Sequence, residues 1–160
     1  MIALGANLPA ADGKSARATC QAAIEALRSL PGLRLGAISP WYETASIPPG
    51  GPDYINAIAR LDGAIAPETL LRWLQNIENR AGRVRSTPNA PRTLDLDIIA
   101  MGDLVRDTPD PILPHPRAHL RAFVLRPLAD IEPNWRHPSL GQSVQELIAA
   151  LPPQQIRRLQ

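Results

Sequence analysis

Nine residues, Pro91-Arg92-Thr93-Leu94-Asp95-Leu96-Asp97-Ile98-Ile99, alternate apolar and acidic side chains at a period of two. On a β-strand that period sends Leu94, Leu96 and Ile98 to one face and Asp95 and Asp97 to the other. The two Asp α-carbons then lie roughly 6.5 Å apart, two strand rises. Carboxylates that close repel each other and lose solvation unless positive charge sits between them. A hard, oxygen-seeking cation such as Mg²⁺ suits the pair. Arg92, three residues before the first Asp, adds a donor fork shaped for phosphate. Together they suggest a metal–phosphate site. Asp-x-Asp by itself is short and common, and it also describes an exposed strand with two solvated carboxylates.

Other elements must hold that strand. Met1 to Leu4 reads as a short strand running into Gly5-Ala6-Asn7-Leu8. Ser15 to Leu30 has helical spacing through Ala18, Ala22, Leu27 and Leu30, and ends at Pro31-Gly32. Leu33 to Tyr42 and Tyr54 to Leu61 alternate as strands, separated by a Pro/Gly loop from Thr44 to Pro52. Pro67 opens a helix to about Ala81, with Leu70, Leu71, Leu74 and Ile77 as its stripe and Gly82 as its stop. Leu94 to Met101 is the Asp-bearing strand. Leu120 to Ile131 and Ser143 to Leu151 read as two more helices after an extended, Pro-rich stretch from Pro109 to Pro116. The order β-α-β-β-α-β with a helical tail predicts an α+β, ferredoxin-like split β-α-β sandwich, an antiparallel sheet with helices on both faces.

The 160 residues suit one domain, 1–160, with a real core. A 44% hydrophobic and 20% charged composition fits a soluble protein, and no apolar run is long enough to span a membrane. A net charge of +2 without a basic run or tail argues against nucleic acid as partner. Cys20, the lone cysteine, cannot form an internal disulfide, and no secretory leader pattern opens the chain. A cytoplasmic location is the expectation. Lys14 is the only lysine, so nearly all positive charge is Arg. That suits phosphate recognition, and it also fits a base-composition bias.

Several separated blocks make the chain recognisable: Leu4-Gly5-Ala6-Asn7-Leu8; Ser39-x-x-Tyr42-x-Thr44; Pro52 to Ala57; Gly82-Arg83-Val84-Arg85; Pro91 to Ile99; Pro114-His115; and Arg121 to Leu128. In order and at compatible spacing over nearly the whole length, they resemble the 6-hydroxymethyl-7,8-dihydropterin pyrophosphokinases of folate synthesis. The resemblance implies transfer of a pyrophosphoryl group from ATP to the pterin hydroxymethyl oxygen, with AMP released. It implies two Mg²⁺ held by Asp95 and Asp97, with Arg83 and Arg92 among the catalytic positions. It places Gln75, Glu78, Arg85, Arg92, Ile98, His115 and Arg121 around ATP. Tyr54 and Phe123 become the faces of a pterin slot, Asn56 its donor–acceptor edge, and Thr44, Ser46 and Ile47 the segment that completes it. The small-molecule substrates are then the partners, and a monomer is expected.

Some positions depart from the family pattern. The stretch from Ser86 to Ala90 lacks the Trp and basic residues that relatives often carry, and Pro88 replaces a common charged residue. Asp110 and Pro116 stand where some relatives have a basic and an aromatic nucleotide contact. Residues 83 to 91, poor in apolar surface, are expected to form a lid that closes on ligand through Arg–phosphate contacts. From the residues alone, two rivals stay open: another Mg²⁺-dependent phosphotransferase or nuclease, or a non-catalytic ferredoxin-like binding module.

Overall fold

The structure is a computed structural model that describes residues 1–10, 12–46, 48–82 and 93–160. Its strands are β1 (Ile2–Ala6), β2 (Leu33–Ile38), β3 (Tyr42–Thr44), β4 (Tyr54–Gly63), β5 (Asp95–Ile98) and β6 (Ile156–Arg158). Its α-helices are α1 (Ala16–Arg28), α2 (Pro67–Arg80), α3 (Ala122–Ile131) and α4 (Val144–Ala149), with a 3-10 turn at Ala118–Leu120. The strands form one antiparallel sheet in the order β5-β1-β4-β3-β6, with β2 also pairing β4. Along β5-β1-β4-β2 the first and second strands of the chain are separated by a later one. That is the split β-α-β order of a ferredoxin-like sheet.

The long strand β4 serves two partners on one edge. Its first residues pair β3 and its last pair β2, with a register shift between Leu35 and Ala37. Gly36 stands at that shift, because an added Cβ would fall 2.2 Å from an Asp62 carboxylate oxygen. The strand expected over Leu33 to Tyr42 is therefore two strands, broken where Ser39 turns inward and its hydroxyl accepts the Ile58 N–H at 2.9 Å.

Alternation along the strands divides the interior. Ile2, Leu4 and Ala6 join Ala59, Leu94, Leu96 and Ile98 under α1 and α2. Ala3, Ile58 and Ile99 pack on the other side with α3 and α4. Both helical layers close against the sheet by burying apolar area, at about 25 cal/mol per Å². Ser15 caps α1 through a bond from the Ala18 N–H. Its buried residues are Thr19, Cys20, Ala23, Ile24 and Leu27, so the stripe expected at Ala18 and Ala22 is out of phase. An alanine-rich helix offers few bulky residues to mark its inner face. Ser143 and Glu146 form a reciprocal capping box on α4. The expected helical tail instead ends in β6, which pairs with β3.

Candidate active site

The Asp strand is as the alternation predicts, though shorter. Leu96 and Ile98 are buried under the α1–α2 layer, and Asp95 and Asp97 are half-buried on the opposite face. Register then carries the site across the sheet. Asp95 pairs with Gly5, Gly5 with Asn56, and Asn56 with Tyr42. Asp97 pairs with Ala3, and Ala3 with Ile58. Side chains of paired residues in an antiparallel sheet share a face. So Asp95, Asp97, Asn56 and, two residues along each strand, Tyr54 and Thr44 stand on one side. Between Asp95 and Asn56 the β1 position is Gly5, which leaves an open lane, whereas Ala3, between Asp97 and Ile58, is buried against the α3–α4 layer. That lane is two strand spacings wide, about 10 Å.

The far end of the lane is polar and ordered. Asn56 is only 4% exposed. Its Nδ2 donates to Thr44 Oγ1 at 2.9 Å. The buried Tyr42 donates its hydroxyl to Asp130 on α3 at 2.6 Å, tying the helix that carries Phe123 to the strand that leads into Thr44. Burial and the Asp130 carboxylate push the Tyr42 phenol up to about 12. Ser46 closes its own loop: its hydroxyl donates to Gly51 O and accepts the Gly51 N–H, both at 3.0 Å. Asn7 Nδ2 donates to Pro52 O at 3.1 Å, bracing the same region from β1.

The near end is charged. His115 Nε2 lies 4.0 Å from Asp97 Oδ2. The His115 N–H donates to Ile99 O at 2.8 Å, which pins the segment to the end of β5. His115 Nδ1 accepts the Arg117 N–H at 3.2 Å, so the ring proton of neutral His115 sits on Nε2, toward the Asp pair. Burial pushes the His115 imidazole down to about 4, helped by Arg121 and Arg117 and opposed by Asp95. Near neutral pH it is an uncharged N–H donor. Arg121 stands just before the first turn of α3, and its guanidinium carbon lies 5.3 Å from the centre of the Phe123 ring.

Three expected nucleotide positions are placed differently. Gln75 and Glu78 lie on α2, over the other face of the sheet, with Glu78 3% exposed. The Ile98 side chain belongs to the core, so its contact with a nucleotide can only be through the main chain. The Ile99 N–H donates to Met1 O, and main-chain groups alternate along a strand, so those of Leu96 and Ile98 face the outer edge of β5. Arg83, Arg85, Arg92, Ile47 and the expected lid fall outside the described residues.

Among the described residues no group of three or more His, Cys, Asp or Glu side chains gathers to hold a metal. Asp95 and Asp97 supply hard oxygens over an open lane, and Mg²⁺ ordinarily takes one or two carboxylates, leaving its other positions to phosphates and water. The donor set fits that ion. The residues that sequence reasoning passed over are Gly5, Tyr42 and Asp130. Gly5 stood within a recognised block, but only the register reveals it as the floor between Asp95 and Asn56.

The fold is that of an α+β, ferredoxin-like protein with an acidic pair and a buried amide on one face of its sheet. Residues 1–133 match the family model described as 7,8-dihydro-6-hydroxymethylpterin-pyrophosphokinase, and the chain belongs to this family. It is 44% identical to a 2-amino-4-hydroxy-6-hydroxymethyldihydropteridine pyrophosphokinase of Pseudomonas aeruginosa, over 99% of this chain and 94% of that protein. It is 38% identical to the protein of the same name from Synechocystis, over 92% of this chain and 73% of that one. It is also 36% identical to the folic acid synthesis protein fol1 of Schizosaccharomyces pombe, over 86% of this chain and 19% of that longer protein. The family reaction is transfer of pyrophosphate to 6-hydroxymethyl-7,8-dihydropterin in folate biosynthesis.

Proposed function

We propose that this chain is an Mg²⁺-dependent pyrophosphokinase that works with two metal ions and seats its substrates in one orientation across the lane. Supporting this reading is one observation above the others: Asp95, Gly5 and Asn56 form a single cross-strand row, with acidic oxygens at one end and an amide at the other. A bicyclic heterocycle with a short hydroxymethyl arm matches a span of about 10 Å. Asn56 reads the ring edge with one donor and one acceptor. Tyr54 and Phe123 cover its faces, and the hydroxymethyl oxygen then points to the Asp pair. Thr44, Ser46 and Ile47 complete the edge through main-chain groups.

The nucleotide lies on the Asp side. Asp95 and Asp97 would hold the two Mg²⁺ ions, whose charge would neutralise phosphate and make the attacking hydroxyl a better nucleophile. His115 donates its Nε2–H to a phosphate oxygen without adding charge. Arg121, with Arg83, Arg85 and Arg92, balances the triphosphate. Gln75, Glu78 and the main chain of Ile98 take the base and ribose at the sheet edge. No dedicated general base is required. Attack at the β-phosphorus forms the new O–P bond as the bond from that phosphorus to the α-phosphate oxygen breaks; AMP leaves with the electron pair, and the hydroxyl proton is released to solvent.

The protein acts as a monomer in the cytoplasm. Among the described residues no helix is long and apolar enough to cross a membrane. The test is calorimetric titration with a non-hydrolysable ATP analogue, with and without Mg²⁺, on wild type and Asp95→Asn. Metal-dependent binding that the variant loses supports the reading. Equal binding in all four cells contradicts it, and binding of neither analogue nor pterin would return the chain to a non-catalytic module.

A further inference from the structure

Gly5 is not in the positive-φ conformation that seven other glycines of the chain adopt. Its backbone therefore suits any residue, and what the position uses is the missing side chain. A Cβ built there would meet Asn56 Oδ1 at 3.2 Å, closer than such contacts ordinarily run. That Cβ would also rise from the sheet between Asp95 and Asn56, in the lane itself. On the other side of Asn56, Thr44 Oγ1 holds Nδ2 at 2.9 Å. Among the described residues no hydrogen bond from the protein reaches Oδ1. The amide is gripped from β3 and lies flush against a bare stretch of β1, with one N–H and one oxygen still to offer.

We infer that Gly5 and the Thr44 hydroxyl are positioning residues that seat the Asn56 amide from two sides. The slot thereby selects a planar ring edge with an N–H donor beside a carbonyl acceptor. This rests on the pterin reading above, adds Gly5 to it and gives the Thr44 hydroxyl a role of its own. A side chain at position 5 displaces the amide toward the ring and shortens the lane, while the phosphate end stays intact. Loss of the Thr44 hydroxyl frees the amide to rotate. Both act through the same group, so their effects do not multiply.

The experiment is calorimetric titration of 6-hydroxymethylpterin, in the presence of Mg²⁺ and a non-hydrolysable ATP analogue, and of the analogue alone. The proteins are wild type, Gly5→Ala, Thr44→Val, Thr44→Ser and Gly5→Ala/Thr44→Val. Gly5→Ala and Thr44→Val should each weaken pterin binding about tenfold, the order expected of one hydrogen bond, with analogue affinity within about twofold. Thr44→Ser should restore wild-type affinity, and the double variant should fall well short of the product of the single losses. A crystal structure of Gly5→Ala should show the Asn56 amide moved. Wild-type pterin affinity in Gly5→Ala with Asn56 unmoved overturns this inference alone, as do losses that multiply fully. A wild-type protein that binds no pterin overturns the functional reading and this inference with it.

Discussion

The two faces of the sheet are built from the same strands and put to different use. Under α1 and α2, Ile2, Leu4, Ala6, Leu94, Leu96 and Ile98 make an unbroken apolar layer. On the other face α3 and α4 seal only the part around Ala3, Ile58 and Ile99. The remainder is the row from Asp95 through Asn56, floored by Gly5 alone. A sheet with both faces fully covered has no place for a ligand. One with a face left bare would lack half its core. Here one face carries the stability and the other divides itself between core and chemistry. Substitutions on the two faces should therefore fail in different assays.

The largest effect is expected on the chemical face. Asp95→Ala and Asp97→Ala should each lower pyrophosphoryl transfer by about a thousandfold or more, the scale of lost transition-state charge stabilisation. Thermal unfolding should stay level or rise, because each variant relieves repulsion between the paired carboxylates. Near-wild-type activity in either variant would remove the Asp pair from the mechanism.

Leu74→Ala, at a position with no exposure in the sealed layer, should behave oppositely. A fully buried leucine truncated to alanine costs about 3 kcal/mol. Urea unfolding should report that loss, while activity per folded molecule at low temperature stays close to wild type. An unchanged unfolding midpoint would mean that α2 does not pack as described.

Tyr54→Ala and Phe123→Ala sharpen the division within the chemical face. Each should weaken pterin binding by about 1–3 kcal/mol, by analogy with bases stacked on aromatic side chains. ATP binding should hardly change. Equal losses for both ligands would misplace the slot.

The smallest effect is on pH. Burial holds His115 down to about 4 and also lowers His137, where the charge of His119 adds to burial. Unfolded, both titrate near 6.5. As pH falls through that value, the unfolded chain takes protons that the native state refuses, so stability decreases with decreasing pH. For His115 the window runs from about 6.5 down to about 4 and closes below it. The urea midpoint should be lower at pH 5.5 than at pH 7.5, and His137→Asn should shrink the difference. A midpoint independent of pH over that range would contradict the burial of both rings.

Much of this was legible before the fold. Asp95 and Asp97 share a face because a strand repeats every two residues, and Leu96 and Ile98 confirm the phase by their burial. Tyr54, Asn56 and Phe123 were recognisable from family blocks, and the sheet brings their strand and helix to one side. The β6 strand was not legible, because Ile156-Arg157-Arg158 is short and mostly exposed, with no alternation of its own. Nor was the inner face of α1, where Ala22 is exposed and Ala23 buried. Gly5 carries no side chain to read, and its meaning comes only from its neighbours on β4 and β5. Ile98 was assigned to the nucleotide by resemblance, and alternation alone already put its side chain in the core, which leaves its main chain for that role.

The most direct measurement is product analysis. The protein is incubated with ATP, Mg²⁺ and 6-hydroxymethyl-7,8-dihydropterin, alongside Asp97→Ala, and products are followed by phosphorus NMR and chromatography. AMP and a pterin diphosphate should appear in equal amounts with wild type, depend on Mg²⁺, and be absent with the variant. ADP with a pterin monophosphate, or wild-type product formation in Asp97→Ala, would contradict the account.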